Sequence, residues 1–453
     1  MSKKIAIYQV LGNLKNYGKS SFKIDGSENV YKDLYLSSEA LSLKYRNEDG
    51  FKTRIIFLCP ISLAETVEEL EDKEELKNRI AEDLSTHFLK SKDTEFEVKL
   101  VDSIGIYEID EKEIQFKSYP ENITAQIFFD MCKRDANYVI ADISTGHNMY
   151  ISSLLDALRS LVVKKKLEDI GRDEINFKAL YAVTEPIVKN VRKDLYLIFL
   201  KEVDVKAFFD LPFKERGNEI SNLCKLERYI KKTAPNVKCK IGYKCRETSL
   251  NTSLSHILKN LVLAFNAIKY NTPLIFSGNL IDLTAEVSEL EEKIKEIILK
   301  FSAMKRKNDT LYEAPRVDVK GLLNLFFALS LYEGIKGLAS VSPLRTTKDL
   351  QTIFSKVYEK LGLGLNKRFL ERDIREIEFY LLGHKSGEWE TYGEIKRKLR
   401  RCSDEKRNFF AHSGLEENIV EVKIEDGEVL IRYKGDEEIK NKIKRWLLNP
   451  ESE

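Results

Sequence analysis

The chain lacks paired cysteines. Its six, Cys59, Cys132, Cys224, Cys239, Cys245 and Cys402, include no CxxC spacing, which excludes the usual ligand pattern of structural zinc. Three of them, Cys224, Cys239 and Cys245, leave open a disulfide or three buried thiols. The first belongs with the Lys, Glu and Ile richness and the scarcity of Gln, a composition that suggests a thermophile. Excess charge is missing too: 75 Lys and Arg oppose 73 Asp and Glu, for a net charge of +2. A polyanion site must therefore be a local patch rather than the whole surface. No apolar run reaches the ~18 residues of a membrane span, and no N-terminal stretch has the zones of a signal peptide. A cytoplasmic protein without membrane contact is expected. Neither a G-x-G-x-x-G after the first apolar run nor a Walker lysine is present, which disfavours NAD and ATP sites. What remains is 453 residues, 43% apolar and 33% charged, a globular composition with about three domains' worth of chain.

The first part alternates strand and helix. Ile5 to Leu11, Arg54 to Cys59, Phe96 to Val101, Tyr138 to Ile143 and Phe177 to Val183 are β-rich runs. Helical patterns fill Lys32 to Tyr45, Leu63 to Leu89, Ile123 to Lys133 and Met149 to Lys166. That order predicts an α/β, Rossmann-like layer with a mostly parallel sheet, whose ligands bind beyond the carboxyl ends of the strands. Two such ends carry suitable residues. Leu11-Gly12-Asn13 follows the first strand, where glycine permits close backbone approach. Ser144-Thr145-Gly146-His147-Asn148 joins a buried strand to a helix, and hydroxyls with free amides at a helix N-terminus suit phosphate. Ordinary capping chemistry is the alternative for the second turn.

From Glu185 to Thr248 the pattern is irregular: Asp194 to Val203 fits strand or helix, Asn218 to Lys232 a basic helix, and Pro235 to Cys245 a loop or hairpin. Helices then dominate: Ser255 to Lys269, Ala285 to Lys307, Lys320 to Leu338, Asp349 to Lys360 and Arg368 to Leu382. Leu322 to Leu331 is apolar nearly all round and predicts a central core helix. Tyr392 to Ala411 reads as one helix, with a Thr391/Glu394 capping box and a Ser413-Gly414 stop. A hairpin turning at Asp426-Gly427 and a short amphipathic helix through Trp446 follow.

Arg407, Asn408 and His412 stand out near the end of that predicted helix. Arginine matches phosphate oxygens with its planar fork, and histidine moves protons near neutral pH. Together they suit RNA cleavage by its own 2′-hydroxyl, which needs no metal. On one helix Arg407 and His412 lie roughly 140° and roughly 7 Å apart, so they converge only on something large or on a symmetry mate. The plainer reading makes Arg407 a surface ion pair and His412 a helix-terminal charge. Lys396, Arg397, Lys398, Arg400, Arg401 and Lys406 crowd the same stretch as a candidate RNA path. His384, His87 and His256 read as structural.

The Arg407-x4-His412 pattern, with polar Asn408 after the arginine, resembles the signature of the HEPN ribonucleases. The Gly12-Asn13 turn and the Ile143-Ser144-Thr145-Gly146-His147-Asn148 turn resemble those of the CARF domain, a sensor of cyclic oligoadenylates. CARF followed by HEPN is the layout of the CRISPR-associated accessory ribonucleases of type III systems. One branch of that family often has histidine before the glycine; here Thr145 stands there and His147 follows. The resemblance implies a CARF sensor over 1–185, a connector over 186–250 of helix-turn-helix type, and an all-α HEPN domain carrying a β-hairpin over 251–453. It implies a homodimer, or a higher assembly of dimers, that cuts single-stranded RNA at a composite site. Arg407 would bind the scissile phosphate, His412 serve as base or acid, and Asn408 orient one of them. No metal or cofactor is implied. The activator would be a cyclic oligoadenylate, taken by the two turns, with cyclic tetra-adenylate ahead of cyclic hexa-adenylate. Two rival readings remain: a ligand-sensing transcription regulator with a decayed HEPN domain, and a nucleotide-metabolising Rossmann enzyme.

Overall fold

Continuous runs such as Ile5–Val10 can be buried on both faces only in the middle of a sheet covered by helices, and that is where they lie. A computed structural model describes residues 3–172, 177–185, 195–207, 250–277, 280–284, 286–301, 303–315, 318–341, 344–384, 387–396 and 404–450. It divides into two units, one formed by 1–165, 175–205 and 295–320, the other by 166–174, 206–294 and 321–453. In chain order the first comprises β1 (Lys4–Val10), β2 (Ser20–Ile24), β3 (Val30–Leu34), α1 (Ser37–Asn47), β4 (Lys52–Pro60), α2 (Val67–Glu71) and α3 (Lys73–Asp83). There follow β5 (Phe96–Val101), β6 (Gly105–Ile109), β7 (Lys112–Lys117), α4 (Pro120–Cys132), β8 (Tyr138–Asp142), α5 (Asn148–Glu168), β9 (Lys178–Thr184) and β10 (Tyr196–Glu202).

The main sheet has eight strands in the order β3-β2-β10-β9-β8-β1-β4-β5. β1 pairs in parallel with β4 on one side and β8 on the other, which makes the carboxyl end of β1 the point where strand order reverses. Within the run Asp194 to Val203, Tyr196–Glu202 form a strand: β10 runs antiparallel to β9 and parallel to β2. Two helical expectations are corrected here. Lys32–Leu34 belong to β3, antiparallel to β2, and the helix starts only at Ser37. Leu63 to Leu89 is interrupted at Asp72, which ends α2 and caps α3 by accepting from the amides of Glu74 and Glu75.

A third correction concerns Ala285 to Lys307. After α6 (Leu250–Lys269), α7 covers only Ser288–Glu296, a wide turn takes Ile297–Phe301, and the chain becomes β11 (Lys305–Asn308) and β12 (Leu311–Glu313). β12 pairs in parallel with β7, and Tyr312 stacks on Phe116 at 5.5 Å. Sheet pairing and the burial of Met304, Tyr312 and Ala314 outweigh the helical propensity of Lys305–Lys307.

The second unit continues with α8 (Val319–Val341), α9 (Thr347–Leu361), α10 (Gly364–Leu381), β13 (Glu390–Thr391), α11 (Tyr392–Ile395), α12 (Glu405–Ala411), β14 (Val420–Glu425), β15 (Glu428–Tyr433) and α13 (Glu437–Leu448). Leu322, Leu325, Ala328, Leu329 and Leu331 are buried, as the all-round apolar pattern of α8 requires. The β14–β15 hairpin turns at Asp426 and Gly427, both in the left-handed region at φ 53° and 80°. No described helix is long and apolar enough to cross a membrane.

The single helix expected over Tyr392 to Ala411 is not found. α11 ends at Ile395, Asp404 has extended backbone (φ −143°), and its carboxylate caps a separate α12 by accepting from the Arg407 amide at 2.9 Å. Thr391 makes no side-chain cap because it pairs with Glu421 in β13. The expected stop does form: Ser413 and Gly414 both take positive φ, 53° and 75°. A Cβ on Gly414 would lie 2.9 Å from Thr272 Cβ and from Tyr433 Oη. Gly414→Ala should therefore cost the second unit about 2 kcal/mol in denaturant unfolding, from left-handed backbone strain plus overpacking. An unchanged midpoint would show that this turn is not a fixed point of the unit.

Candidate functional site

At the switch point of the first unit, the carboxyl ends of β1 and β4 open onto a cleft of about 790 Å³. Leu11, Gly12, Asn13, His87 and His147 line it, with the cations Lys15 and Arg79 and the acids Glu65, Asp83 and Glu108. His87, read from sequence as structural, is thus in the cleft wall. The Lys15 ammonium pairs with Glu65 at 3.0 Å, and Arg79 holds Asp83 at 3.2 Å and donates to the Leu63 carbonyl at 2.8 Å. The Gly12 amide donates to the Tyr17 hydroxyl at 3.1 Å, so that amide is covered in this state. Burial raises the Tyr17 phenol above its usual value, which keeps it neutral. Asn13 caps the following turn by accepting from the Lys15 amide.

The second turn hangs on a fully buried Asp142, which accepts from the Ser144 amide at 3.0 Å and the Ser37 hydroxyl at 2.6 Å. Burial raises the Asp142 carboxyl, and those donors offset part of the rise. The Thr145 hydroxyl accepts from Gln9 Nε2 at 2.8 Å, tying the turn to β1, and Ser38 donates to the other end of Gln9. Gly146 has φ 113°, and a Cβ there would sit 3.0 Å from Val10 Cβ. His147 and Asn148 are exposed where α5 begins, and the His147 carbonyl accepts from the Tyr150 amide at 3.0 Å and the Ile151 amide at 3.1 Å. Gln9, Tyr17, Ser37 and Ser38 escaped the sequence analysis. A run of polar residues on one buried strand and the helix facing it was the available signal.

In the second unit, α12 and the turn after it carry Arg407, Asn408 and His412. Phe409 is fully buried against Trp446 (5.2 Å between ring centres) and Tyr433 (6.3 Å), which anchors the helix. Asn408 contributes its carbonyl, which accepts from the His412 amide at 3.0 Å. The Arg407 side chain is exposed, and among the described residues no hydrogen bond or ion pair holds its guanidinium. The surface ion pair of the plainer reading is therefore not seen among the described residues. His412 lies 3.9 Å, from Nδ1, to Oδ1 of the buried Asp373 on α10. Asp373 raises the His412 imidazole above its ordinary value; partial burial and Lys396 oppose this, and Glu376 supports it.

Asp373 and Glu376 were missed, although Asp373 interrupts the stripe Leu370, Ile374, Ile377, Leu381 that α10 buries. A charge inside an apolar stripe was the legible signal. Oxygen and nitrogen atoms of Asp373, Glu376 and His412 lie within 4.8 Å of one another. Both carboxylates already have cations: Arg372 on Asp373 at 2.7 Å and Lys396 on Glu376 at 2.8 Å. Lys396 also pairs with Glu417 at 3.4 Å, so its charge is engaged within the protein. Lys406 donates to the Asn449 carbonyl at 2.8 Å. Arg397, Arg400 and Arg401 lie outside the described residues, as do Lys398, Cys402, and the Cys224, Cys239, Cys245 and basic-helix readings. His384 faces Glu390 at 3.2 Å.

A switch-point sensor cleft in one unit and an Arg-x4-His turn in a helical unit define a ligand-sensing ribonuclease. Residues 6–186 match the family model for the CRISPR system endoribonuclease Csx1, CARF domain. Residues 363–435 match that for the CRISPR system endoribonuclease Csx1, HEPN domain. The chain belongs to the CRISPR-associated CARF–HEPN ribonucleases. No curated protein matches it.

Because no described residue is held by its guanidinium, Arg407→Ala should leave unfolding free energy within about 0.5 kcal/mol of wild type. A larger loss in denaturant unfolding would assign Arg407 a structural role.

Proposed function

We propose that the chain is a cyclic oligoadenylate-activated, metal-independent endoribonuclease that cuts single-stranded RNA. The observation that carries this reading is the pairing of an unengaged Arg407 guanidinium with a His412 ring backed by a buried carboxylate. Arg407 binds the scissile phosphate and stabilises charge on its oxygens as the 2′-hydroxyl attacks. His412 moves the proton, and Asn408 fixes the His412 backbone. The chemistry needs no metal. Arg397, Arg400 and Arg401 are proposed to guide the RNA backbone, with Lys396 acting on the site's charge rather than on RNA.

A symmetric dimer is proposed to complete the site. α10 leaves Leu365, Phe369, Phe379 and Leu382 exposed, the last two at 68% and 76%, along the helix that carries Asp373 and Glu376. Apolar side chains flanking a polar centre suit a second copy of the same surface. Cyclic tetra-adenylate is the proposed activator, since a four-fold ring contains the dimer's two-fold axis. Each protomer would offer Leu11-Gly12-Asn13 and Ser144-Thr145-Gly146-His147-Asn148. The boundaries proposed are 1–185 for the sensor, 186–250 for the connector and 251–453 for the nuclease domain, with 295–320 returning to the first unit. Intact Arg407 and His412 count against a regulator with a decayed nuclease.

Cleaved RNA should carry 2′,3′-cyclic phosphate and 5′-hydroxyl ends, and EDTA should not slow the reaction. Arg407→Ala and His412→Ala should each lower kcat by at least ~100-fold. End-group analysis and turnover kinetics check this; 3′-hydroxyl ends, or activity abolished by chelation and restored by magnesium, would reject the mechanism.

A further inference from the structure

Asp373 is more tightly held than a residue with only a packing role would need. Only 2% of it is exposed. Its Oδ2 accepts from the Ser413 hydroxyl at 2.6 Å, and its Oδ1 accepts from Arg372 Nη2 at 2.7 Å and Nε at 2.9 Å. Ser413 in turn accepts from Asn271 Nδ2 at 2.8 Å. The carboxylate therefore cannot rotate away, and its Oδ1 faces His412 Nδ1. The His412 backbone is fixed by its bond to the Asn408 carbonyl, while 46% of the side chain is exposed. With Nδ1 turned to Asp373, Nε2 is at the opposite corner of the ring. Among the described residues, the charged groups around the ring are Arg372, Asp373 and Glu376 from α10 and Lys396 just after α11.

We propose that Asp373 is a positioning residue for RNA cleavage: its fixed carboxylate, 3.9 Å from Nδ1, orients the His412 ring so that Nε2–H protonates the 5′-oxygen leaving group. This rests on the reading of the chain as a 2′-hydroxyl transesterase, and it decides between the base and acid roles of His412. In the step, the 2′-oxygen–phosphorus bond forms and the phosphorus–5′-oxygen bond breaks. The imidazolium proton goes to the 5′-oxygen, the 2′-hydroxyl proton goes to water, and solvent recharges the imidazole. An acid works only while protonated, so activity falls as pH rises through the His412 transition. The neighbouring carboxylate moves that fall to higher pH, and removing its charge moves it back down.

The test compares wild type, Asp373→Asn and Asp373→Glu in kcat and KM across the neutral pH range. Asp373→Asn should lower kcat at least ~10-fold at neutral pH and bring the alkaline limb down by about one unit, with KM unchanged. Asp373→Glu should restore part of the limb, which a merely structural role would not do. The chain has five histidines, so 13C-histidine NMR can follow His412 directly without RNA. In wild type its midpoint should lie above the ordinary ~6.5, and this reading needs no variant that folds. A wild-type midpoint at or below that value would overturn the proposal. So would an unmoved limb in Asp373→Asn, a loss carried wholly by KM, or broadening of the His412 signal by stoichiometric manganese. Wild-type products without cyclic phosphate ends would instead overturn the cleavage reading, while the NMR midpoint still reports on the pair.

Discussion

A carboxylate taken out of water must be met by donors or cations, and both candidate functional turns of this chain are built on one. In the second unit Asp373 draws together Arg372 of its own helix, the Ser413 hydroxyl and the His412 ring. In the first unit Asp142 gathers the Ser144 amide and the Ser37 hydroxyl. In each case the turn held this way contains a glycine at positive φ, Gly146 or Gly414, with no room for a Cβ. A buried acid below and a side-chain-free corner above leave the turn with little conformational choice. That suits residues that must meet a phosphate with small tolerance.

The two turns differ in what they leave open. At the cleft of the first unit, Tyr17 covers the Gly12 amide and Gln9 engages Thr145, so polar groups that suit a phosphate are occupied by the protein's own side chains. A ligand that favours another arrangement has to exchange those bonds, and only that difference in binding can shift the protein between states. At the Arg-x4-His turn the reverse holds, because no described residue engages the Arg407 guanidinium and His412 is half exposed. The proposed catalytic groups face solvent while their supports are buried.

Much of this was legible in the sequence. The five strand runs of the first unit, the turn at Asp426-Gly427 and the Ser413-Gly414 stop follow from β-branched patterning and left-handed backbone requirements, which are local. What was misread depends on distant partners. Lys32–Leu34 and Lys305–Lys307 were read as helix but lie in strands that pair with β2 and β12. Asp404 looked like one more charge in a helix, yet its side chain starts a new one. Asp373 went unnoticed because Ser413, which donates to it, lies 40 residues further along the chain. Arg407 and His412 were found because the motif is short and contiguous.

The most direct test of the central claim is the initial rate of RNA cleavage by wild-type protein with no ligand and with cyclic tri-, tetra- and hexa-adenylate in turn. A ligand-gated ribonuclease of the proposed kind is nearly silent alone and accelerates most with the tetra-adenylate ring. The same rate in every tube, or no cleavage with any ring, would contradict it.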